Sequence, residues 1–409
     1  MARASSKPRV CIVGAGFAGL NAAQQLKASR YEVTIIDPAL YIEWLPNIHE
    51  IISGVKTGDE LRLSRQRIIE RLGHCFIRQK VVGLNAAAAT LEDGQIVPFD
   101  ACVVSTGGTY NDFNIHGVSD YALPTKSVED CQRIAKKLRL AALGHKTTRV
   151  TVVGGGIEGV EFLGEALRAY RNRPQFEFSL IDSKPKVLAE CAGNLDRQIK
   201  AHTSSLNVDF SLGQRVASVE KEGVYLESGK AIESDITIWS GGLAPNKLLY
   251  ESRLAETPNE WGHVNRAFQS RHYENVFVIG DAAQYPLALS KQAFHAIDMG
   301  KFAAHNIERY LKGQALKQFE PGAKPQVVTF GDLDTFMVFN GFSVSSSVLG
   351  AAKEAVYTLG LLQLSPPQNA KEAVRSLDLF QKSVRRVYLP SMNPLNLASK
   401  LPKVKFMRG

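Results

Sequence analysis

The sequence predicts an α/β fold with two parallel-sheet domains, the second inserted in the first, followed by a C-terminal α+β or helical region. The main observation is one glycine pattern that occurs twice, in VCIVGAGFAGL and in VTVVGGGIEGV. Each copy follows a β-branched run and precedes a helix-like stretch, which is the order of strand, turn and helix. In both copies a second strand then ends in an acid. The sequence therefore predicts two complete βαβ units.

The spacing of the glycines indicates what each unit binds. In a GxGxxG turn the first glycine makes the tight turn, the second lets phosphates approach the backbone, and the third lets helix and strand pack closely. The helix N-terminus can then hold a pyrophosphate, and the acid can bond ribose hydroxyls. Both units are thus predicted to be Rossmann-like dinucleotide-binding domains. The residues concerned are Gly14, Gly16, Gly19 and Asp37 in the first copy, and Gly154, Gly156, Gly159 and Asp182 in the second.

The same patterns predict the domain bounds. The first domain is expected over 1–117 and 244–325, the second over 118–243, and the C-terminal region over 326–409. Each dinucleotide domain also contains a predicted hairpin, with turns at Asp93–Gly94 and near Glu222–Gly223. Further helices are expected near 127–143, at 290–312, in VLGAAKEAVYTLGLLQL and after the breaker SPPQN, with strands at QVVTF and TFMVF.

Composition narrows the class of protein. The 409 residues are 44% hydrophobic, which is ordinary for a globular chain of two or three domains. The basic N-terminus has no separate signal-peptide core and no apolar run is long enough to span a bilayer, so a cytoplasmic location is expected. The five cysteines form no CxxC pair, which argues against a metal knuckle or a redox disulfide. Cys11 and Cys102 lie in strand-like runs and are predicted core residues.

Most of the net positive charge lies at the C-terminal end. The chain carries a net charge of +9. Residues 370–409 contain nine basic residues against Glu372 and Asp378: Lys371, Arg375, Lys382, Arg385, Arg386, Lys400, Lys403, Lys405 and Arg408. An apolar stripe runs between them, formed by Ala373, Val374, Leu377, Phe380, Val384, Val387 and Tyr388. This pattern predicts a peripheral anchor on an anionic membrane surface, and a core-packed helix with a solvated tail is the alternative. Nucleic acid is not expected without interleaved aromatic residues.

Three further segments resemble one family of flavoproteins. VVSTGG at 103–108 resembles its ATG turn, IWSGGLAPN at 238–246 its second glycine turn, and VFVIGDAA at 276–283 its flavin-contacting segment. Together with the two glycine patterns, the chain resembles the flavoproteins with two dinucleotide-binding domains over about 8–315, and more narrowly the type II NADH:quinone oxidoreductases. The resemblance implies FAD in the first domain, where Asp281 bonds the ribityl chain, and a nicotinamide nucleotide in the second. It adds Thr106, Gly107, Gly241 and Gly280 to the predicted cofactor-binding residues.

On the nicotinamide side, the resemblance matches Glu161 to an acid that the family places near the nicotinamide ring, although a merely structural glutamate is an equal alternative. Asp182 can accept hydrogen bonds from both ribose hydroxyls of NADH but repels the 2′-phosphate of NADPH, so NADH is the expected donor. Lys184 and Lys186 lie near enough to weaken that repulsion, and use of NADPH stays open.

The acceptor is expected to be a quinone, although the motif for it is altered. Disulfide reductases and sulfide:quinone oxidoreductases of this fold need cysteines that the chain lacks. Type II enzymes show AQxAxQ where this chain has AFHAIDMG, so Phe294 and Asp298 replace the two glutamines. With Lys291, the segment resembles the KxAYxA of the apoptosis-inducing-factor-like quinone reductases called ferroptosis suppressors. An aromatic ring can pack against a quinone, and Lys291, His295 and Asp298 are candidates for charge stabilisation or proton supply, or are solvated helix residues.

The resemblance implies an FAD-dependent NADH dehydrogenase that passes hydride from NADH to FAD and two electrons to a quinone-like acceptor on the inner face of a membrane. Two alternatives stay open. One is a soluble flavoprotein oxidoreductase with a non-quinone acceptor, and the other is a redox-sensing interaction protein that resembles apoptosis-inducing factor. Whether the chain forms a homodimer also stays open.

Overall fold

A computed structural model describes residues 7–191, 193–346, 349–383 and 405–408, and side chains for all of these except 375, 379, 383 and 405–408. Its helices, α1 to α11 in chain order, are Phe17–Gln25, Glu50–Ser53, Arg65–Arg71, Val118–Tyr121, Val128–Ala142, Ile157–Tyr170, Leu195–Thr203, Lys247–Glu251, Ala293–Leu311, Gly350–Leu364 and Ala370–Ser383. Short 3-10 turns lie at Leu45–Asn47, Gly58–Leu61 and Gly280–Ala282.

The strands are labelled β1 to β26 along the described residues. They are Arg9–Val13, Glu32–Ile36, Tyr41–Glu43, Arg62–Ser64, Cys75–Ile77, Val81–Leu84, Ala88–Leu91, Ile96–Pro98, Ala101–Val104, Gly108–Tyr110, Ala122–Pro124, Thr148–Val153, Phe176–Asp182, Val208–Leu212, Val216–Glu220, Gly223–Leu226, Ala231–Glu233, Ile236–Trp239, Leu243–Pro245, Gly262–His263, Val276–Val278, Ala283–Gln284, Gln326–Phe330, Asp334–Phe339, Phe342–Ser345 and Lys405–Arg408.

The described residues form two compact units. The first unit lies within 1–42, 62–109 and 243–322, and the second within 43–61, 110–242 and 323–409. These units are defined by packing and not by the sequence patterns, so the predicted domain bounds stay a prediction. The segment 43–61 packs with the second unit, which the sequence patterns did not predict.

The first unit is built on a parallel sheet with strand order β21-β9-β1-β2-β5. Strand β1 lies between β9 and β2, in register with both. Its residues Val10 to Val13 and all of β9 are buried, as expected for strands that are covered on both faces. Cys11 and Cys102 face each other across β1 and β9 as free, buried thiols. The first glycine turn thus leaves the sheet at the carboxyl end of a central strand.

The second unit repeats this arrangement. Its parallel sheet has the order β11-β18-β12-β13-β14, and β12, α6 and β13 form the second βαβ unit. Each unit also carries a three-stranded antiparallel sheet, β6-β7-β8 in the first and β15-β16-β17 in the second. These sheets contain the predicted hairpins, with Gly94 and Gly223 at positive φ. The predicted α/β fold with two Rossmann-like domains is confirmed.

The C-terminal region is α+β, as predicted. Strands β23-β24-β25-β26 form an antiparallel sheet, and α10 and α11 follow it in sequence before β26. Strand β26 pairs with β25 in antiparallel fashion, with Phe342 opposite Arg408 and Ser345 opposite Lys405. The last part of the segment predicted to bind a membrane therefore belongs to a sheet. Throughout the described ranges, no helix combines the length and the apolarity needed to cross a bilayer.

Candidate active site

The first glycine turn is held by the acid that ends β2. Asp37 Oδ2 accepts a hydrogen bond from the Ala15 amide at 2.8 Å, and Oδ1 accepts one from the Ala39 amide at 2.9 Å. Arg65 Nη1 lies 3.1 Å from the same carboxylate, and its Nε donates to the Ala15 carbonyl at 2.9 Å. Asp37 is therefore fixed beside the turn, and Arg65 is a site residue that the glycine spacing does not reveal.

The second glycine turn has the same construction. Asp182 accepts hydrogen bonds from the Gly155 amide and, at 2.6 Å, from the Lys184 amide. A serine on the adjacent strand end supports each turn: Ser105 Oγ donates to the Gly14 carbonyl at 2.7 Å, and Ser240 Oγ donates to the Val153 carbonyl at 3.1 Å. These serines belong to the VVSTGG and IWSGG segments, whose structural role is now visible.

The space at the glycines fits the binding of two pyrophosphates. A Cβ at Gly19 would lie 2.0 Å from the Gly14 carbonyl oxygen, and one at Gly159 would lie 1.8 Å from the Gly154 oxygen. These glycines are required by close packing. In contrast, a Cβ at Gly16 or Gly156 would meet no atom within 4 Å. Both glycines therefore leave open space where a phosphate approaches the backbone.

The helix ends beside these openings are available to an anion. Gly16 and Gly156 are the N-caps of α1 and α6, and neither helix has a side-chain cap. Free amide groups at a helix N-terminus attract phosphate. In the first unit the buried Thr106 hydroxyl also has no hydrogen-bond partner among the described atoms. The residues present fit a dinucleotide in each unit.

A cavity of about 680 Å³ lies beside the GD segment of the first unit. Its lining includes four of the residues singled out from the sequence, Gly280, Asp281, Lys291 and His295. Phe294 and Asp298 lie on the same helix, α9, and are partly buried, but they do not belong to the lining. The structure thus brings Lys291 to the Gly-Asp turn. Phe294 and Asp298, which replace the two glutamines of the motif, lie on another side of α9.

Lys291 has two partners at this cavity. Its Nζ lies 3.4 Å from the centre of the Trp261 ring and donates a hydrogen bond to the Asp281 carbonyl oxygen. Desolvation lowers the pKa of Lys291 to about 8, against the attraction of the Asp281 carboxylate. Burial in turn raises the pKa of Asp281. Lys291 therefore loses its proton at a lower pH than an ordinary lysine does.

Glu161 lies in the second unit, in a buried cluster of charged residues. Its Oε1 accepts hydrogen bonds from Lys353 Nζ and, at 3.1 Å, from the Thr329 amide. His49 Nδ1 lies 3.4 Å from Oε2, and burial beside Lys353 holds the pKa of His49 well below its ordinary value. Burial also raises the pKa of Glu161 itself. The role of Glu161 toward a nicotinamide ring stays a prediction.

Comparison with known proteins agrees with this geometry. The family model described as "Pyridine nucleotide-disulphide oxidoreductase" matches residues 8–300. The chain belongs to that family. It is 23% identical over 393 residues to a type II NADH:quinone oxidoreductase of Staphylococcus saprophyticus, covering 88% of this chain and 97% of that protein. A Staphylococcus aureus protein of the same name is 22% identical over the same coverage.

Two solved structures share the fold. NDH2 from Plasmodium falciparum in complex with NADH superposes with a TM-score of 0.80 at 17% identity, over 92% of this chain and 98% of that one. The sulfide:quinone oxidoreductase of Aquifex aeolicus gives 0.78 at 18% identity, over 88% and 91%. The resemblance inferred from the motifs is therefore confirmed at the level of family and fold.

The glycine motifs did not predict a second group of buried charged residues in the second unit, formed around Lys56. Lys56 Nζ lies 2.7 Å from Glu354 and 3.4 Å from Glu50, and all three side chains are almost fully buried. Burial alone would lower the pKa of Lys56, but the two carboxylates outweigh it and raise that pKa. The one sequence signal was the charged pair Lys353 and Glu354 inside an apolar helical run.

The pH dependence of stability is expected to report on Glu165, a neighbour of this cluster on α6. Glu165 is 1% exposed, and burial raises its pKa to about 7. The folded state then binds a proton that the unfolded state releases near its ordinary pKa. The stabilisation is therefore present below about pH 4.5 and is lost as the pH rises through about 7, by up to about 3 kcal/mol.

The variant Glu165→Gln lacks this titration. The difference in unfolding free energy between wild type and Glu165→Gln should change across urea titrations at pH 5, 6, 7 and 8, while the variant alone gives the background from other groups. A difference that stays constant with pH would contradict the raised pKa.

Proposed function

We propose that the chain is an FAD-dependent NADH dehydrogenase that reduces a quinone-like acceptor at a membrane surface. The observation that carries this proposal is the pair of glycine turns with open space at Gly16 and Gly156, in a chain whose curated relatives are named type II NADH:quinone oxidoreductases. Bound FAD would supply the redox chemistry that couples two-electron oxidation of NADH to two-electron, two-proton reduction of the acceptor.

The chain's own residues bind and orient the two nucleotides. The amides at the start of α1 and the carboxylate of Asp37 hold the adenosine half of FAD, and the α6 N-terminus with Asp182 holds NADH. Thr106, Gly107 and the Gly280–Asp281 turn approach the flavin, and Gly241 approaches the nicotinamide nucleotide. These assignments extend the sequence prediction, supported by the hydrogen bonds at both turns.

The acceptor side is assigned to the cavity at 280–299. Lys291 faces it as a cation that stabilises negative charge and supplies a proton, and His295 lines the same space. Glu161 is retained as the acid beside the nicotinamide, supported by its place on α6 next to the second glycine turn. Phe294 and Asp298 are retained as acceptor residues from the motif alone, since they lie outside the cavity lining.

The proposal is tested by anaerobic stopped-flow spectroscopy of the flavoprotein. NADH should bleach the flavin, and ubiquinone, menaquinone or a naphthoquinone analogue should then reoxidise it rapidly. Bleaching without reoxidation by any quinone would overturn the acceptor and favour a different small electrophile, oxygen or a partner protein. A persistent long-wavelength band with negligible turnover would indicate a redox-sensing interaction protein instead.

The membrane assignment rests on α11. Its apolar residues Val374, Leu377 and Phe380 are 64%, 60% and 44% exposed, which supports a membrane contact over a core-packed helix. Lys371 and Lys382 flank this stripe. The rest of the predicted stripe, Val384, Val387 and Tyr388, and the basic residues Arg385, Arg386, Lys400 and Lys403 lie outside the described residues. We assign the helix to the inner, anionic face of a membrane; a homodimer stays an open alternative for the same stripe.

Replacing Val374 and Leu377 together with serine should weaken binding to anionic vesicles at least tenfold, because two inserted apolar side chains are lost, at about 1 kcal/mol each. Co-sedimentation with phosphatidylglycerol vesicles measures this. The double variant Ile96→Ser and Leu143→Ser, which removes apolar residues exposed by 64% and 81% elsewhere, is the matched control and should bind normally. Unchanged binding of both variants, or loss of a dimer in ultracentrifugation, would contradict the membrane assignment.

Preference for NADH is expected to depend on Glu190 as well as Asp182. The Lys184 ammonium is paired with Glu190, so it is not free to attract a 2′-phosphate. Glu190→Gln should raise kcat/KM for NADPH by about two- to fivefold, in the range of an exposed ion pair, with little change for NADH. Steady-state kinetics with both nucleotides measure the effect, and the same substitution in a Lys184→Met background should give no gain. An equal gain in both backgrounds would exclude this explanation.

A further inference from the structure

Trp261 stands out as an aromatic residue that the predicted chemistry does not use. Its ring faces the Lys291 ammonium at 3.4 Å, while Lys291 reaches the cavity at 280–299. A cation over an aromatic face is attracted by the negative charge density of the ring, and tryptophan attracts it most strongly. Trp261 thus contacts the one lysine assigned to the acceptor side.

The fold fixes the position of this ring. Trp261 directly precedes β20, which pairs in parallel with β22 through Gly262–Ala283 and His263–Gln284. This ladder places Trp261 beside the chain that follows Asp281, whose carbonyl accepts the hydrogen bond from Lys291. The ring also lies against Gly108, where a Cβ would come within 3.0 Å of Trp261 Cη2. Backbone pairing therefore positions Trp261, and the absence of a side chain at Gly108 leaves room for its indole ring.

We propose that Trp261 is a positioning residue, which holds the Lys291 ammonium at the cavity and keeps it protonated until the acceptor is reduced. This inference rests on the proposed function for the role of Lys291, but the contact itself does not. Two effects act on the lysine besides the ring: desolvation disfavours its charge, and Asp281 favours it. His295 and Tyr285 are the other titratable side chains that line the cavity.

The contact predicts a specific order of pKa values. Trp261→Leu keeps an apolar neighbour but removes the aromatic ring. Lys291 would then still be desolvated, but the attraction of its ammonium to the ring would be lost. The pKa of Lys291 should then fall by roughly half a unit to one unit, the range expected for a partly desolvated cation–π contact. Trp261→Phe retains a weaker ring and should lower the pKa by less than half as much. A ring that only fills space would give both variants the same pKa.

Competitive trace acetylation of the FAD-loaded protein measures this pKa directly. Peptide mass spectrometry gives the labelling of Lys291 as a function of pH, with the exposed Lys312 as internal reference. Trp261→Met and Trp261→Tyr form a second pair in case the leucine variant loses its flavin. The alkaline limb of the pH profile for acceptor reduction should shift by the same amount as the labelling curve.

The outcomes separate this inference from the proposed function. An unchanged pKa of Lys291 in the leucine and methionine variants, or equal shifts in the aromatic and aliphatic variants, would overturn the role of Trp261 even if quinone is reduced. Failure of every quinone to reoxidise the flavin would overturn the proposed acceptor, whereas the ordered shift of the labelling curves would still support the contact.

Discussion

Replacing Lys56 with methionine is expected to cost about 3–5 kcal/mol of stability, because it leaves two buried carboxylates without the cation that they share. Lys56 lies between the buried carboxylates of Glu50 and Glu354, at 3.4 and 2.7 Å, and its ammonium lies 4.2 Å from the centre of the Tyr357 ring. Without the lysine, two negative charges would remain in a site that excludes water. At least one carboxyl must then take up a proton or be solvated, and both cost free energy.

The midpoint of thermal unfolding should fall by on the order of 10 °C. Lys312→Met is the matched control, because it removes one lysine from an exposed pair with Glu308 at 2.7 Å and should change the midpoint by about 2 °C or less. The triple variant Glu50→Gln, Lys56→Met and Glu354→Gln should recover much of the loss, since no charge is left unpaired. If Lys56→Met is no less stable than Lys312→Met, the cluster is not closed to water.

This cluster marks the limit of what the sequence could predict. The two βαβ units follow from local patterns, since strand, glycine turn, helix and acid lie within about 30 residues of one another. The cluster joins segment 43–61, α6 and α10, and no local pattern predicts which glutamate will meet which lysine. Lys353 and Glu354 interrupt an apolar run, which indicates buried partners but does not identify them.

The acceptor site shows the same limit. The motif made Lys291 a candidate for charge stabilisation, and the structure brings it to the Gly-Asp turn, whereas Phe294 and Asp298 fall on another side of α9. A helix turns about 100° per residue, so neighbours in a motif cannot all face one cavity. The position of Trp261 depends on the pairing of β20 with β22, two strands of two residues each, which are too short to give a periodic signal.

The two open glycines allow the strongest test of the nucleotide assignment. Gly156→Ala should weaken NADH binding by about 100-fold or more, because the new methyl occupies the space through which the pyrophosphate reaches the α6 N-terminus. Protein stability and flavin content should be unchanged, since no described atom lies within 4 Å of that position and its φ of −73° suits alanine. Gly16→Ala should instead release FAD. Flavin absorbance and titration with NADH measure both effects.

The neighbouring glycines provide the control that separates binding from folding. Gly159→Ala forces a methyl to 1.8 Å from the Gly154 carbonyl oxygen, so it should destabilise the second unit and lose NADH binding only as a consequence. Gly322→Ala, which also meets no atom within 4 Å, should change neither stability nor binding. Tight NADH binding by Gly156→Ala would mean that the nucleotide does not cross this turn. If Gly156→Ala is destabilised as much as Gly159→Ala, the space at Gly156 is needed for packing. The second dinucleotide site would then have to lie elsewhere.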